Sequence, residues 1–445
     1  MKKISELIDY IPAQSIEKVA LLLLILWIMS PIAVMLCGLT QDTNEPILSF
    51  KQYPVSIYWY QILQTIGFLG CILSIIVFSK SILDAKTKNL LVKEYIKNNI
   101  LTLFLFVMLI WSIFSCLASE NIDISFNGTL YRKDGLITYF TYCGIFCCGY
   151  IIRNKRFIKY ILEFFTSTAT LLSVLMLINS KYINDLFGLT SDSSVFYQFN
   201  HFAYYLCMSL MCSLVLFQIE KKSILILSIR IAMFAVITAA LVKNGSLGPY
   251  IAVVFGLIAS LILIIRLEKK YLKRILIPLG IFIGVTLIMN ISNSHTFSDI
   301  KTLETDLYKV VNKSSDVDKA GTGRWILWRN GVRFISEKPL FGYGPDNLGD
   351  QYAKVKVGTD RAHNEIIQYA ASLGIPAAIF YVIAIMNYFI VFIRNRKKIS
   401  ILEIGMFCAV VAYLVSSMFG NTMYYTSPFF FMLLGISSSR NKLIS

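Results

Sequence analysis

Histidine, proline and charge are all scarce in this sequence. Three histidines and 10 prolines occur among 445 residues, and only 15% of positions are charged. A chain this long with so little charge, a 56% hydrophobic composition and a mean hydropathy of +0.65 is not a soluble domain. Low-complexity segments and internal repeats are absent, and the two halves show no matching broken helices, the usual sign of a secondary transporter. Zinc spacing is missing as well: there is no His-x-x-x-His, and none of the nine cysteines falls in the one long polar segment. Those cysteines (Cys37, Cys71, Cys116, Cys143, Cys147, Cys148, Cys207, Cys212 and Cys408) lie in apolar runs, where they read as small packing residues.

What is present is a succession of apolar runs near bilayer thickness. They predict an all-α polytopic membrane protein of about twelve transmembrane helices, near 19–40, 57–80, 98–118, 135–152, 160–179, 201–218, 223–242, 248–265, 275–291, 374–393, 401–419 and 426–438. The first run has no small-residue cleavage site, so it is read as a retained helix. Three regions follow: an N-terminal transmembrane bundle of about nine helices at 1–291, one large loop at 292–373, and about three C-terminal helices at 374–445. Arg230 falls inside the seventh run, where its long stem is expected to snorkel.

The formal charge of +16 is a topology signal, not a nucleic-acid one. With the N-terminus inside, cytoplasmic segments carry 25 Lys and Arg against five in the short exterior loops. Both termini are then cytoplasmic, and the large loop is extracytoplasmic on a multi-pass protein of the cell membrane.

That loop is expected to hold three short helices. Residues 296–312 suit an amphipathic helix with Leu303, Leu307 and Val310 on one side. A second starts near Thr322 as N-cap, carries Trp325, Trp328 and Val332 on one stripe and Arg329 and Arg333 on another, and stops at Pro339. A Gly- and Pro-rich turn follows (Gly342 to Asn347). A third helix is expected from about His363 to Leu373, closed by Gly374 and followed by Pro376.

No ATP is available outside the cell, so an exterior synthetic enzyme needs an activated substrate delivered in the bilayer. A lipid pyrophosphate sugar fits, and arginine forks suit its phosphates. The exterior face offers Arg132, Arg324, Arg329, Arg333 and Arg361. His363 is the candidate base for an acceptor hydroxyl, its ring kept neutral by a helix N-terminus and by nearby Arg361. The bland alternatives are a structural histidine, arginines paired with Asp316, Asp318, Asp346 or Asp360, and tryptophans that merely pack. His201 either contacts substrate or starts a helix, and His295 has no neighbours of note. Asp316-Val317-Asp318 lacks a third ligand, so no metal site is assigned.

The motifs resemble those of the O-antigen ligase and O-antigen polymerase superfamily of bacterial membrane glycosyltransferases. His363-Asn364, nine residues and then Gly374 is similar to the ligase signature, with Ala377 where a second glycine is usual. Arg324 with Trp328, Pro339-Leu340-Phe341-Gly342-Tyr343-Gly344, Phe199-Asn200-His201-Phe202-Ala203 and Gly128-x-x-Tyr131-Arg132-x-x-Gly135 are similar to other family motifs. Lys243 stands where many members have arginine.

The resemblance implies metal-independent, inverting transfer of a glycan from undecaprenyl pyrophosphate to an acceptor glycan or lipid-linked sugar, without cofactor. His363 would be the base, and Arg132, Arg324 and more weakly Arg361 would hold the pyrophosphate. Asn200, His201, Lys243 and Asn364 are secondary substrate contacts. The activity is that of a surface polysaccharide (O-antigen or capsule-type) polymerase or ligase, and Ala377 tilts it toward polymerase. The alternative class is a transporter or flippase of lipid-linked oligosaccharide.

Overall fold

A computed structural model describes residues 11–38, 53–87, 99–196, 198–220, 223–291, 296–312, 317–396 and 399–444. Lys51, His295 and Asp316 lie outside the described residues, as do several of the basic loop residues behind the charge count and the side chains of Cys37, Leu303 and Leu307.

Among the described residues the fold is α-helical with no strand; Thr190 and Ser194 form an isolated bridge. The helices are α1 (Ala13–Gly38), α2 (Tyr53–Thr87), α3 (Ile100–Leu117), α4 (Ile122–Asn127), α5 (Leu136–Ile151), α6 (Lys155–Ile178), α7 (Lys181–Phe187), α8 (Phe199–Ile219) and α9 (Ile224–Asn244). They continue with α10 (Leu247–Leu267), α11 (Leu272–Ile291), α12 (Thr296–Val311), α13 (Arg324–Glu337), α14 (Leu348–Lys354), α15 (Glu365–Leu373), α16 (Ile375–Arg394), α17 (Ile401–Ser417) and α18 (Ser427–Ile444).

Each expected span has its helix. Nine described helices are long and apolar enough to cross a membrane, and α5, α17 and the apolar part of α18 are shorter. Burial explains the short ones. Residues 427–439 of α18 and nearly all of α17 are buried, and α8 is almost wholly enclosed, whereas few of the described residues of α2 and α11 are buried. A helix sheathed by other helices need not match the bilayer thickness by itself.

The central helices approach closely because small residues line their contacts. A Cβ at Gly144 of α5 would collide with the Gly67 carbonyl of α2, and one at Gly435 of α18 with the Phe146 carbonyl of α5. Arg230 does not snorkel: it is 5% exposed and reaches Glu163 of α6 at 3.1 Å and Glu220 at 3.4 Å, so paired carboxylates hold it inside.

Alternate connections gather at opposite ends. At one end Glu17 accepts from the Arg153 and Asn154 amides, and Arg274 reaches the Phe217 and Glu220 carbonyls. At the other end the α3–α5 loop, the 317–364 segment and the α17–α18 loop are bonded to one another. Three short helices there, α4, α7 and α14, are absent from the sequence reading; at six or seven residues each they are too brief to show a period.

Candidate functional site

The local backbone departs from the expected helix starts. Thr322 is not the N-cap of α13: it adopts φ 57°, Gly323 caps the helix at φ 83°, and no side chain accepts from the first turn. Nor does His363 begin α15. Asn364 is the N-cap, with Oδ1 accepting from the Ile367 amide at 3.1 Å, and His363 precedes it at φ 50°. The left-handed region is uncommon for a non-glycine residue and gathers at functional sites. It turns the histidine off the helix axis. Pro339 and Gly374 act as expected: α13 ends at Glu337, and Gly374 closes α15 at φ 91°.

Three groups fix His363. Its amide donates to Asn421 Oδ1 at 2.9 Å, its carbonyl accepts from Trp328 Nε1 at 3.3 Å, and its Nδ1 lies 3.4 Å from Asn421 Nδ2. The ring is neutral, its pKa lowered to about 4, by burial first and then by the charges of Arg324 and Arg132. Arg361 adds to this, as expected, but α15 starts two residues later, so burial and arginine charge take the place of the helix terminus.

Arg132 forks onto Asp360 with Nε at 2.6 Å and Nη2 at 2.7 Å, while its buried Nη1 has no partner. Burial alone would raise Asp360, but Arg132 overrides it and holds the carboxyl down at about 2. Arg324 opens α13. Its Nη1 donates to Thr322 Oγ1 at 3.1 Å, and its Nε is buried and unpartnered. Arg324, Trp325 and Trp328 line a cavity of about 290 Å³ with Leu247, Ile251 and Phe419. Two arginines therefore keep unused N–H groups in a partly dry site, the disposition an anionic ligand needs.

Arg361 is placed differently. It is 1% exposed and donates from Nη1 to Asp134 at 2.8 Å and from Nη2 to Asp346 at 2.5 Å. Burial opposes its charge, and the two carboxylates more than offset that, so the guanidinium stays ionised. Its Nε is buried without a partner, as are Arg132 Nη1 and Arg324 Nε, but carboxylates take both of its terminal nitrogens, so it ties these segments together. Asp346 also accepts from the Thr129 amide at 2.6 Å, and Thr422 donates to Asp134 at 2.9 Å. Of these partners, Asp134 and Thr422 are absent from the sequence reading.

The secondary contacts divide. Asn364 uses Oδ1 as cap and donates from Nδ2 to the Met418 carbonyl at 3.1 Å, so both ends of its amide are engaged. Lys243 donates to the Met176 and Leu177 carbonyls, at 3.0 and 3.2 Å, and caps the end of α6 instead of facing the site. Asn200 accepts from Ser246. His201 is buried edge-on to Tyr204 and Tyr425, and neither ring nitrogen has a partner. Arg329 pairs with Asp318 at 3.0 Å, as the bland alternative expects and as Arg132 and Arg361 do with Asp360 and Asp346, while exposed Arg333 meets Glu337 at 2.9 Å, an acid outside the four expected. Asn421 is absent from the sequence reading. Its only signal is a polar Gly-Asn-Thr step between two apolar runs.

Comparison with known proteins matches residues 231–382 to the O-antigen ligase family model. The matched segment holds Arg324, Arg361 and His363 and excludes Arg132 and Asn421. An uncharacterized protein of Haemophilus influenzae is 25% identical over 223 residues, covering 45% of this chain and 54% of that protein. The chain thus spans about half the length of this curated relative. The resemblance read from the sequence is supported: through residues 231–382 the chain is similar to the O-antigen ligase family.

Proposed function

We propose that this end of the bundle faces away from the cytoplasm and transfers a glycan from an undecaprenyl-pyrophosphate donor to an acceptor hydroxyl. The observation that supports it best is the pairing of a neutral, backbone-clamped imidazole with two arginines that retain unused buried N–H groups. His363 takes the proton of the acceptor hydroxyl. The hydroxyl oxygen bonds to the anomeric carbon as the bond to the pyrophosphate oxygen breaks, and the leaving group departs with the electron pair. Arg132 Nη1 and Arg324 Nε meet the charge that develops there, without a metal. Attack opposite the leaving group inverts the anomeric carbon.

Arg361 is reassigned from substrate contact to positioning residue, because Asp134 and Asp346 occupy both of its terminal nitrogens. The cavity beside Arg324 suits an apolar or sugar portion of the substrate, its walls being Trp325, Trp328, Phe419, Leu247 and Ile251. Chain extension is favoured over ligation by Ala377 alone.

The test is glycan length in cells carrying wild type or His363→Ala at matched expression. Loss of long polymer with accumulation of single lipid-linked units supports a polymerase. Unchanged length with lost attachment makes it a ligase. No change in either refutes the catalytic histidine.

A further inference from the structure

A neutral imidazole has one lone pair and one N–H, and the partner of one nitrogen decides which is which. At His363 that partner is Asn421. The Asn421 amide has a fixed orientation: the His363 backbone N–H can only donate, and it meets one amide atom at 2.9 Å, so that atom is Oδ1. The atom facing the ring at 3.4 Å is therefore Nδ2, a donor, and Nδ1 must accept. The same loop is tied down beside it, since Asn364 donates to the Met418 carbonyl and Thr422 donates to Asp134.

We infer that Asn421 is the positioning residue that fixes the His363 tautomer, so that the resting ring carries its proton on Nε2 and Nδ1 is the atom that accepts the acceptor's proton. This rests on the reading of His363 as the base. At 3.4 Å the amide contact is longer than an ordinary N–H hydrogen bond. A hydroxyl that donates to Nδ1 therefore displaces it without breaking a strong bond, while the 2.9 Å bond to the backbone stays. As the glycosidic bond forms, the hydroxyl proton passes to Nδ1, the pyrophosphate oxygen takes the electron pair of the bond that breaks, and the ring leaves the step as an imidazolium. The charged groups around it are Arg324, Arg132, Arg361 and Asp360.

The experiment uses the full chain in lipid nanodiscs with ¹⁵N-labelled histidine. Only three histidines are present, and His363→Ala assigns the signal. At neutral pH the wild-type His363 is expected to show its proton on Nε2. Asn421→Ala removes the preference, and Asn421→Asp moves the proton to Nδ1, because a carboxylate accepts from both the backbone amide and the ring.

Glycan transfer in membranes from cells making their own donor is measured beside it. Asn421→Asp keeps the backbone bond, so a merely structural role leaves its transfer near wild type. The inference expects a loss of at least about 100-fold, since a wrong tautomer costs about 10⁴ in other histidine bases. A wild-type proton on Nδ1, or full transfer by Asn421→Asp, overturns the assignment. If the tautomers behave as stated but the wild type transfers no glycan, the positioning stands and the glycosyltransferase reading fails.

Discussion

In the proposed reaction His363 is the base, and its surroundings make it a different base from a free histidine. Burial and three arginines lower it to about 4, against an ordinary 6.5. Lowered pKa means that the neutral, accepting form persists as pH falls through 6.5 and is lost only near 4. The acid limb of the transfer rate is therefore expected near pH 4, and a pH profile on membranes checks it; a limb near 6.5 would mean an exposed, unperturbed ring. Arg324 makes the second residue-scale prediction. Its Nε is buried and unpartnered, and it keeps only a weak hold on its own turn. Arg324→Ala is expected to cost about 100- to 1000-fold in transfer, the range for a lost charge-stabilising donor, with little change in thermal stability. The sequence made His363 and Arg324 legible through residue type and motif spacing. It placed the histidine on the helix instead of before it, because a left-handed residue is set by tertiary partners such as Asn421 and Trp328, 58 and 35 positions away.

Elements bring these residues together through their ends. The last turn of α15 leaves carbonyls that need donors, and the Gly342–Gly344 turn supplies them: Tyr343 donates to Ala371 at 3.0 Å and Gly344 to Ser372 at 2.8 Å. Gly374 then turns the chain into α16 at φ 91° and ψ 162°, a conformation close to glycine-only, and a Cβ there would run into the Leu340 carbonyl. Gly374→Ala is expected to lose about 1–3 kcal/mol from backbone strain, with more from the collision, measurable as a lower Tm in detergent. Glycine and proline punctuation made this junction readable in advance. Gly128 and Gly188 close α4 and α7 as well, but with six or seven residues each, α4, α7 and α14 are too short to show a helical period beside those marks. Thr322 misled because a threonine before an apolar stripe looks like a cap, while Gly321 and Gly323, at φ 62° and 83°, bend the backbone away from the cap geometry.

At the scale of the whole molecule, the ion pairs at one end of the bundle join three distant stretches. Arg361 draws Asp134 from the α3–α5 loop and Asp346 from the turn after α13, and Thr422 adds the α17–α18 loop. Removing one partner of a buried pair leaves charge uncompensated. Arg361→Met strands two carboxylates and is expected to cost about 3–5 kcal/mol, seen as loss of folded protein as well as of transfer. A variant that kept its Tm and lost only transfer would return Arg361 to the substrate. The membrane class and each long apolar helix were legible from hydropathy alone, because apolar length is a local property. The network was not, since an arginine in a sequence does not declare which of several carboxylates it will meet.

The central claim is that glycan leaves a lipid pyrophosphate at His363. Each bond formed must release one undecaprenyl pyrophosphate, so the most direct measurement is release of that lipid in membranes with wild type and with His363→Ala at equal abundance. The account predicts release with wild type, and with His363→Ala none, the glycan staying on its lipid carrier at the outer face. Equal release from both, or lipid-linked glycan held at the inner face by the variant, would contradict it and point to transport.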